Sequence, residues 1–200
     1  MGFSERPGLR FPLTRQCGDC QLCCKLLPMH ARDQRNRAGR VVVEKEAGER
    51  CPHQRYHVGC TVYEHRPWAC EMWNCRWLVN DDTADLPRPD RCHYVIDIMP
   101  DIIRMVPNDG SPPSEVLCVV VWVDPGYRDA HRDPALRRYL ARRAKADGMP
   151  AIIRWSEQDG MVLFAPSLSE NGKWNERMVP PTPGFKNLHE RMRDGLGRTS

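Results

Sequence analysis

The sequence predicts an α+β fold: a metal-pinned, cysteine-rich N-terminal lobe packed with a small, mostly antiparallel sheet and one main helix. Three observations predict it. Eight of the ten cysteines fall between residues 17 and 75. Short β-branched runs recur between 93 and 165, separated by turn residues. One long segment with a helical apolar stripe, 133–147, lies among those runs.

In chain order, residues 1–16 read as an extended lead-in, because Pro7 and Pro12 block a helix. The cysteine loop at 17–24 runs into a short helix. Residues 31–40 are polar and exposed, and Val41-Val42-Val43 is a candidate strand. Cys51-Pro52-His53 and Gly59-Cys60-Thr61-Val62-Tyr63 form two arms around a turn. Pro67 opens a helix that continues through Trp77 and Leu78, with Trp73 and Trp77 on one face. Residues 80–92 make a polar, proline-bearing connection.

Beyond it, 94–98 and 102–106 pair as a hairpin around Met99-Pro100-Asp101. The run 115–123 is apolar on both faces in its middle, which places it centrally. Asp133 caps the main helix, Pro134 takes its first position and Gly148 ends it, with Leu136, Tyr139, Leu140 and Ala144 facing inward. Runs 151–155 and 161–165 meet at Gln158-Asp159-Gly160, whose Asp-Gly is a hairpin signal. After Pro166 the chain reads as a loose tail with a short helix near 185–193. The organisation is therefore a metal-binding region at 1–80 and an α+β region at 93–166, forming one compact domain together. A C-terminal tail at 167–200 follows.

No apolar stretch approaches the roughly 20 residues of a membrane span. Residues 1–78 carry 13 Lys/Arg against 8 Asp/Glu, a surplus of five; 79–200 carry 17 against 18. A basic surplus beside thiolates has a local use, since Lys25, Arg50, Arg55, Arg66 and Arg76 can offset the negative charge of a four-thiolate centre. Nucleic-acid binding would want a basic stripe with interleaved aromatics, which the chain lacks. The N-terminus shows no apolar signal region, so the expected compartment is the reducing cytoplasm. Ten cysteines in 200 residues also fall short of the roughly 8–10 % typical of disulfide scaffolds.

The cysteines carry the chemistry. Cys17-Gly18-Asp19-Cys20-Gln21-Leu22-Cys23-Cys24 places four thiols in eight residues, and Cys51, Cys60, Cys70 and Cys75 follow. Thiols at two-residue intervals let a short loop converge its sulfurs on one point, and the first three share the opening spacing of a bacterial ferredoxin motif. All eight are candidate metal ligands. Vicinal Cys23 and Cys24 point in different directions. They suit a polynuclear centre, two neighbouring centres, or one ligand beside one buried thiol. Six or more ligands exceed one tetrahedral zinc. His30, His53, His57 and His65 are polar neighbours or substitute ligands. Cys118, inside an apolar strand, is a core residue, and Cys92 has no assigned role.

Cys17-x-x-Cys20-x-x-Cys23-Cys24, then Cys51-Pro52, Gly59-Cys60-x-Val62-Tyr63-Glu64-x-Arg66-Pro67-x-x-Cys70 and Asn74-Cys75, resembles the CxxCxxCC cysteine-cluster family over residues 15–80. That family is described as zinc- or iron-chelating. The resemblance implies a cytoplasmic metal or iron–sulfur protein. A related cluster in flagellin lysine methylases is associated with an iron–sulfur centre, but this chain has no glycine-rich loop for S-adenosylmethionine. Where the family has phenylalanine before the last cysteine, this chain has Trp73-Asn74.

The functional expectation is an iron–sulfur protein, with a 4Fe–4S centre, in a redox or accessory role beside a protein partner. The alternatives are a zinc-stabilised protein-interaction module and an enzyme that modifies protein side chains. No P-loop, nucleophile elbow or dinucleotide fingerprint commits the chain to an enzymatic activity.

Overall fold

Strand β5 (Ser114–Val123) organises the molecule, because every position from Cys118 to Val123 is buried. The computed structural model describes residues 13–31, 39–106 and 110–179. Side chains alternate across a strand, so Val119, Val121 and Val123 enter one apolar core while Cys118, Val120 and Trp122 enter another on the opposite face. The fold is α+β, as the sequence predicts.

The first face is covered by helix α5 (Pro134–Asp147). Asp133 Oδ1 accepts the N–H groups of Ala135 at 2.6 Å and Leu136 at 3.1 Å, and Gly148 ends the helix in the left-handed region. Leu136, Tyr139, Leu140 and Ala144 are all buried against the sheet. The second face receives the N-terminal lobe through α1 (Leu22–Leu26) and α3 (Arg76–Val79), which deliver Leu22, Leu26, Leu78 and Val79. The sheet is thus the middle of three layers.

Its order runs β3 (Tyr94–Ile96), β5, β6 (Ala151–Arg154), β7 (Gly160–Phe164) and β8 (Asn175–Val179), with β4 (Asp101–Met105) also on β5. Four pairings are antiparallel; β5–β6, joined through α5, is parallel.

Several expectations need correction. The hairpin around Met99-Pro100-Asp101 does not exist. Strands β3 and β4 lie in succession along β5, with Tyr94 opposite Val123 and Asp101 opposite Cys118. The paired positions sum to 217 in β3 and to 219 in β4, so two extra residues bulge out between them. Asp97, whose N–H still bonds the Val120 carbonyl at 2.9 Å in the register of β3, stands at the start of that bulge. The helix expected from Pro67 through Leu78 is broken into α2 (Trp68–Met72) and α3, and the shared face of Trp73 and Trp77 is lost. Trp73 and Cys75 are extended between them because Trp73 Nε1 bonds to Asp97 Oδ1 at 2.9 Å and Cys75 bridges to Asp97. Val41-Val42-Val43 forms no strand. The tail is not loose from 167 onward, since β8 extends the sheet; the helix expected at 185–193 lies outside the described residues. The connection at 80–92 carries α4 (Pro89–Cys92) and a fully buried Thr83.

The β6–β7 hairpin is as expected, for a different reason. Gly160 pairs with Arg154 inside the ladder, and a Cβ there would meet the Ile153 carbonyl oxygen at 2.6 Å. Close approach of backbone, rather than a positive φ, requires glycine at this position.

Candidate metal centre

Helix α1 is anchored on the sheet by Leu22 and Leu26, and this sets Cys23 and Cys24 between the lobe and the core. Consecutive helical positions diverge by about 100°. The two thiols stay within reach of each other, but Cys23 otherwise neighbours Cys17 and Cys75 while Cys24 neighbours Cys51 and Cys70, and the eight cysteines divide accordingly.

Cys17, Cys20, Cys23 and Cys75 line one small cavity of about 10 Å³, together with Trp77, Pro89 and Val95. Cys20 N donates to Cys17 O at 3.1 Å, closing the turn that brings the first two thiols together. Gly18 takes φ +57° in that turn, and a Cβ there would lie 3.2 Å from Arg88 Nη1. Arg88 also pairs with Asp19 and Asp90 at 2.7 Å, fastening the loop to α4. Burial raises the Cys20 thiol, against N–H groups of Leu22 and Asp90 that bond to its sulfur and lower it. Burial pushes Cys75 up to about 12, and the charges of Cys17 and Cys20 add to the rise.

Cys24, Cys51, Cys60 and Cys70 form the second set. Burial pushes the Cys70 thiol up to about 12, followed by repulsion from Cys24, Cys51 and Cys60. The residue itself is exposed, and its sulfur lies 4.0 Å from Met29 Sδ. Burial also raises Cys51, with Cys24 and Cys60 adding to it. The backbone that carries this set is a short antiparallel pair, β1 (Gln54–Arg55) and β2 (Gly59–Cys60), tied to α1 by Cys51 N donating to Cys24 O at 3.3 Å. The two sets meet where Cys23 donates to Cys24, a bond that lowers Cys24 to about 7 and drives Cys23 well up.

All ten cysteines are free thiols. Cys118 is fully buried in β5, and Cys92 is buried with its thiol near the carbonyls of Pro87, Pro89 and Tyr94. Among the described residues, no three His, Cys, Asp or Glu side chains close tightly enough to hold a single metal ion. His30 is engaged by Glu44 at 3.2 Å and Glu157 at 2.8 Å.

The charge compensation differs from expectation. Lys25 is spent on Asp124 at 2.6 Å, and Arg76 faces Asp82 at 3.7 Å. Arg66 lies over the Tyr63 ring, and of the five expected cations it is the one that draws on Cys70. The cation that sequence reasoning missed is Lys45. Buried beside the second set, it donates its ammonium to the carbonyls of Lys25, Leu27 and Glu46. Burial lowers it, and Cys51 and Cys24 are the charges that push it back up. Three donors matched to three carbonyls hold it as an ammonium. Nothing in Val43-Glu44-Lys45 marks this role, since it depends on where the end of α1 lies in space.

No protein-family model matches the chain, and no curated protein or solved structure shows significant similarity to it.

Proposed function

We propose that this chain is a metal-binding cysteine-cluster protein, its eight grouped thiols holding iron–sulfur centres in a redox or accessory role beside a partner protein. The observation that carries this reading is the ring of Cys17, Cys20, Cys23 and Cys75 about one cavity. Three thiols at two-residue spacing plus one remote thiol is the ligand pattern of a ferredoxin-type cluster. Sulfurs around a cubane stand roughly 6 Å apart, against roughly 3.5–4 Å around one zinc. Among the described residues no three of these side chains close to the spacing that one ion needs, which suits the wider centre. When bound, such a centre supplies one-electron chemistry.

The protein's own contribution is to hold the thiols, bond backbone N–H groups to their sulfurs and limit water with Trp77, Pro89 and Val95. Free thiols throughout are consistent with work in a reducing compartment such as the cytoplasm. Among the described residues, no helix is long and apolar enough to cross a membrane.

Zinc is the second reading, and one observation favours it: a cavity of about 10 Å³ admits about one water-sized body. Metal and sulfide analysis of anaerobically purified protein, with its visible spectrum, decides between the two. Iron, sulfide and visible absorbance support the first reading; colourless protein with zinc supports the second. Protein with neither metal overturns both.

A further inference from the structure

We infer that the two thiol sets are separate centres of unequal accessibility, the second being an exchangeable one whose occupancy keeps residues 46–71 folded. The inference rests on the reading that these thiols bind metal.

The first set belongs to the core. Cys75 is 6 % exposed and sits in the lobe-side apolar cluster, with Cys17, Cys20, Cys23 and Trp77 packed against that same cluster. Its cavity backs onto Val95, which is fully buried in β3. Cys75 is also bridged through its backbone to Asp97 in the sheet. Cys17, Cys20 and Cys23 are half-buried rather than sealed, but all four ligands are held by the core and would remain in place after metal left.

The second set has no such support. Between residues 46 and 71, Pro67 is the only buried residue. Neither apolar cluster takes a member from 48–71. The β1–β2 turn instead exposes Tyr56 and Val58, at 73 % and 77 %, and Tyr63 and Cys70 are exposed beside it. What ties this segment down is polar: backbone bonds such as Thr61 N to His53 O at 2.9 Å, the Gln21 side chain bonded to Arg55 O and Gln54, the Arg40–Glu71 ion pair, and the thiols themselves. A segment of about 25 residues with so little fully buried apolar area offsets little of its ordering entropy; coordination at Cys24, Cys51, Cys60 and Cys70 would supply the difference. Lys45 joins the two parts, its ammonium bonded to the Lys25 and Leu27 carbonyls at the end of α1 and to the Glu46 carbonyl at the start of the segment. Vicinal Cys23 and Cys24 then mark the border between a permanent centre and a removable one.

The test uses the full chain as purified, exposed anaerobically to excess EDTA. Protein-bound metal is followed over time alongside backbone hydrogen exchange. Metal should leave in two steps of about equal size, as two four-thiolate centres require. During the fast step, peptides from 46–71 should lose protection while those from β5 and β6 keep theirs. Cys70→Ser should remove the fast step and leave the slow one; Cys20→Ser, chosen because Cys75→Ser risks the core, should do the reverse. Loss in one step, or a fast step sensitive to Cys20→Ser but not to Cys70→Ser, overturns the inference while leaving metal binding intact. Unchanged exchange at 46–71 after the fast step overturns the ordering role. A chain that carries no metal overturns both this inference and the reading beneath it.

Discussion

Asp97 places a carboxylate at the start of the bulge between β3 and β4, where burial raises its pKa from the ordinary value. Its Oδ1 accepts two hydrogen bonds, from Trp73 Nε1 at 2.9 Å and Met99 N at 3.0 Å. A carboxyl raised in the fold contributes its stability below the unfolded value, and loses it as pH rises through the folded one. Asp97→Asn keeps an acceptor oxygen and removes the desolvated charge, so at pH 7 its melting temperature should be no lower than the parent's. Asp97→Ala strands both donors and should cost about 1–3 kcal/mol in urea unfolding. Equal effects of the two variants would show that the acceptor is unimportant.

Cys118 makes a second residue-scale case, because burial pushes its thiol up to about 12. The sign follows the same rule: its contribution is whole below the ordinary value of 9.0 and fades as pH climbs from there towards 12. Cys118→Ala should flatten that alkaline loss of stability in thermal melts across the range. Cys118→Ser should leave metal content unchanged. Metal lost from Cys118→Ser would place this thiol among the ligands.

At the scale of elements, α5 was fully legible. Its cap, its first-turn proline, its terminal glycine and its stripe all act locally, and the burial of Leu136, Tyr139 and Leu140 follows from them. Leu140→Ala should cost about 2–5 kcal/mol in chemical denaturation; a cost near zero would contradict its packing against the sheet. Gly160→Ala should also destabilise, since the Ile153 carbonyl leaves no room for a Cβ. The misread elements share one cause. Residues 94–105 look like a hairpin by composition, yet the long β5 offers one edge to both halves, and this pairing is invisible locally. The helix after Pro67 breaks because Asp97, distant in sequence, bonds Trp73 and bridges Cys75. Strand β8 was missed because its residues, Asn175 to Val179, are largely polar or exposed; it is an edge strand held by its ladder to β7. The candidate ligands were legible as spacing, while their division into two sets depends on how α1 seats on the sheet.

At the scale of the molecule, the sheet separates helix α5, packed along one face, from a lobe of which only part packs on the other. The β5–α5–β6 unit, its hairpin and the lobe-side apolar cluster form one continuous body around the sheet. The segment 48–71 lies outside it. The most direct test of the central claim, that the eight grouped thiols hold metal centres, is the iron, sulfide and zinc content of full-length protein purified without oxygen, read with its visible spectrum. The expected result is visible absorbance with up to about eight iron atoms per chain, as two cubanes would give. Colourless protein with about two zinc ions would replace iron–sulfur by tetrahedral zinc. Folded protein containing neither metal would contradict the claim itself.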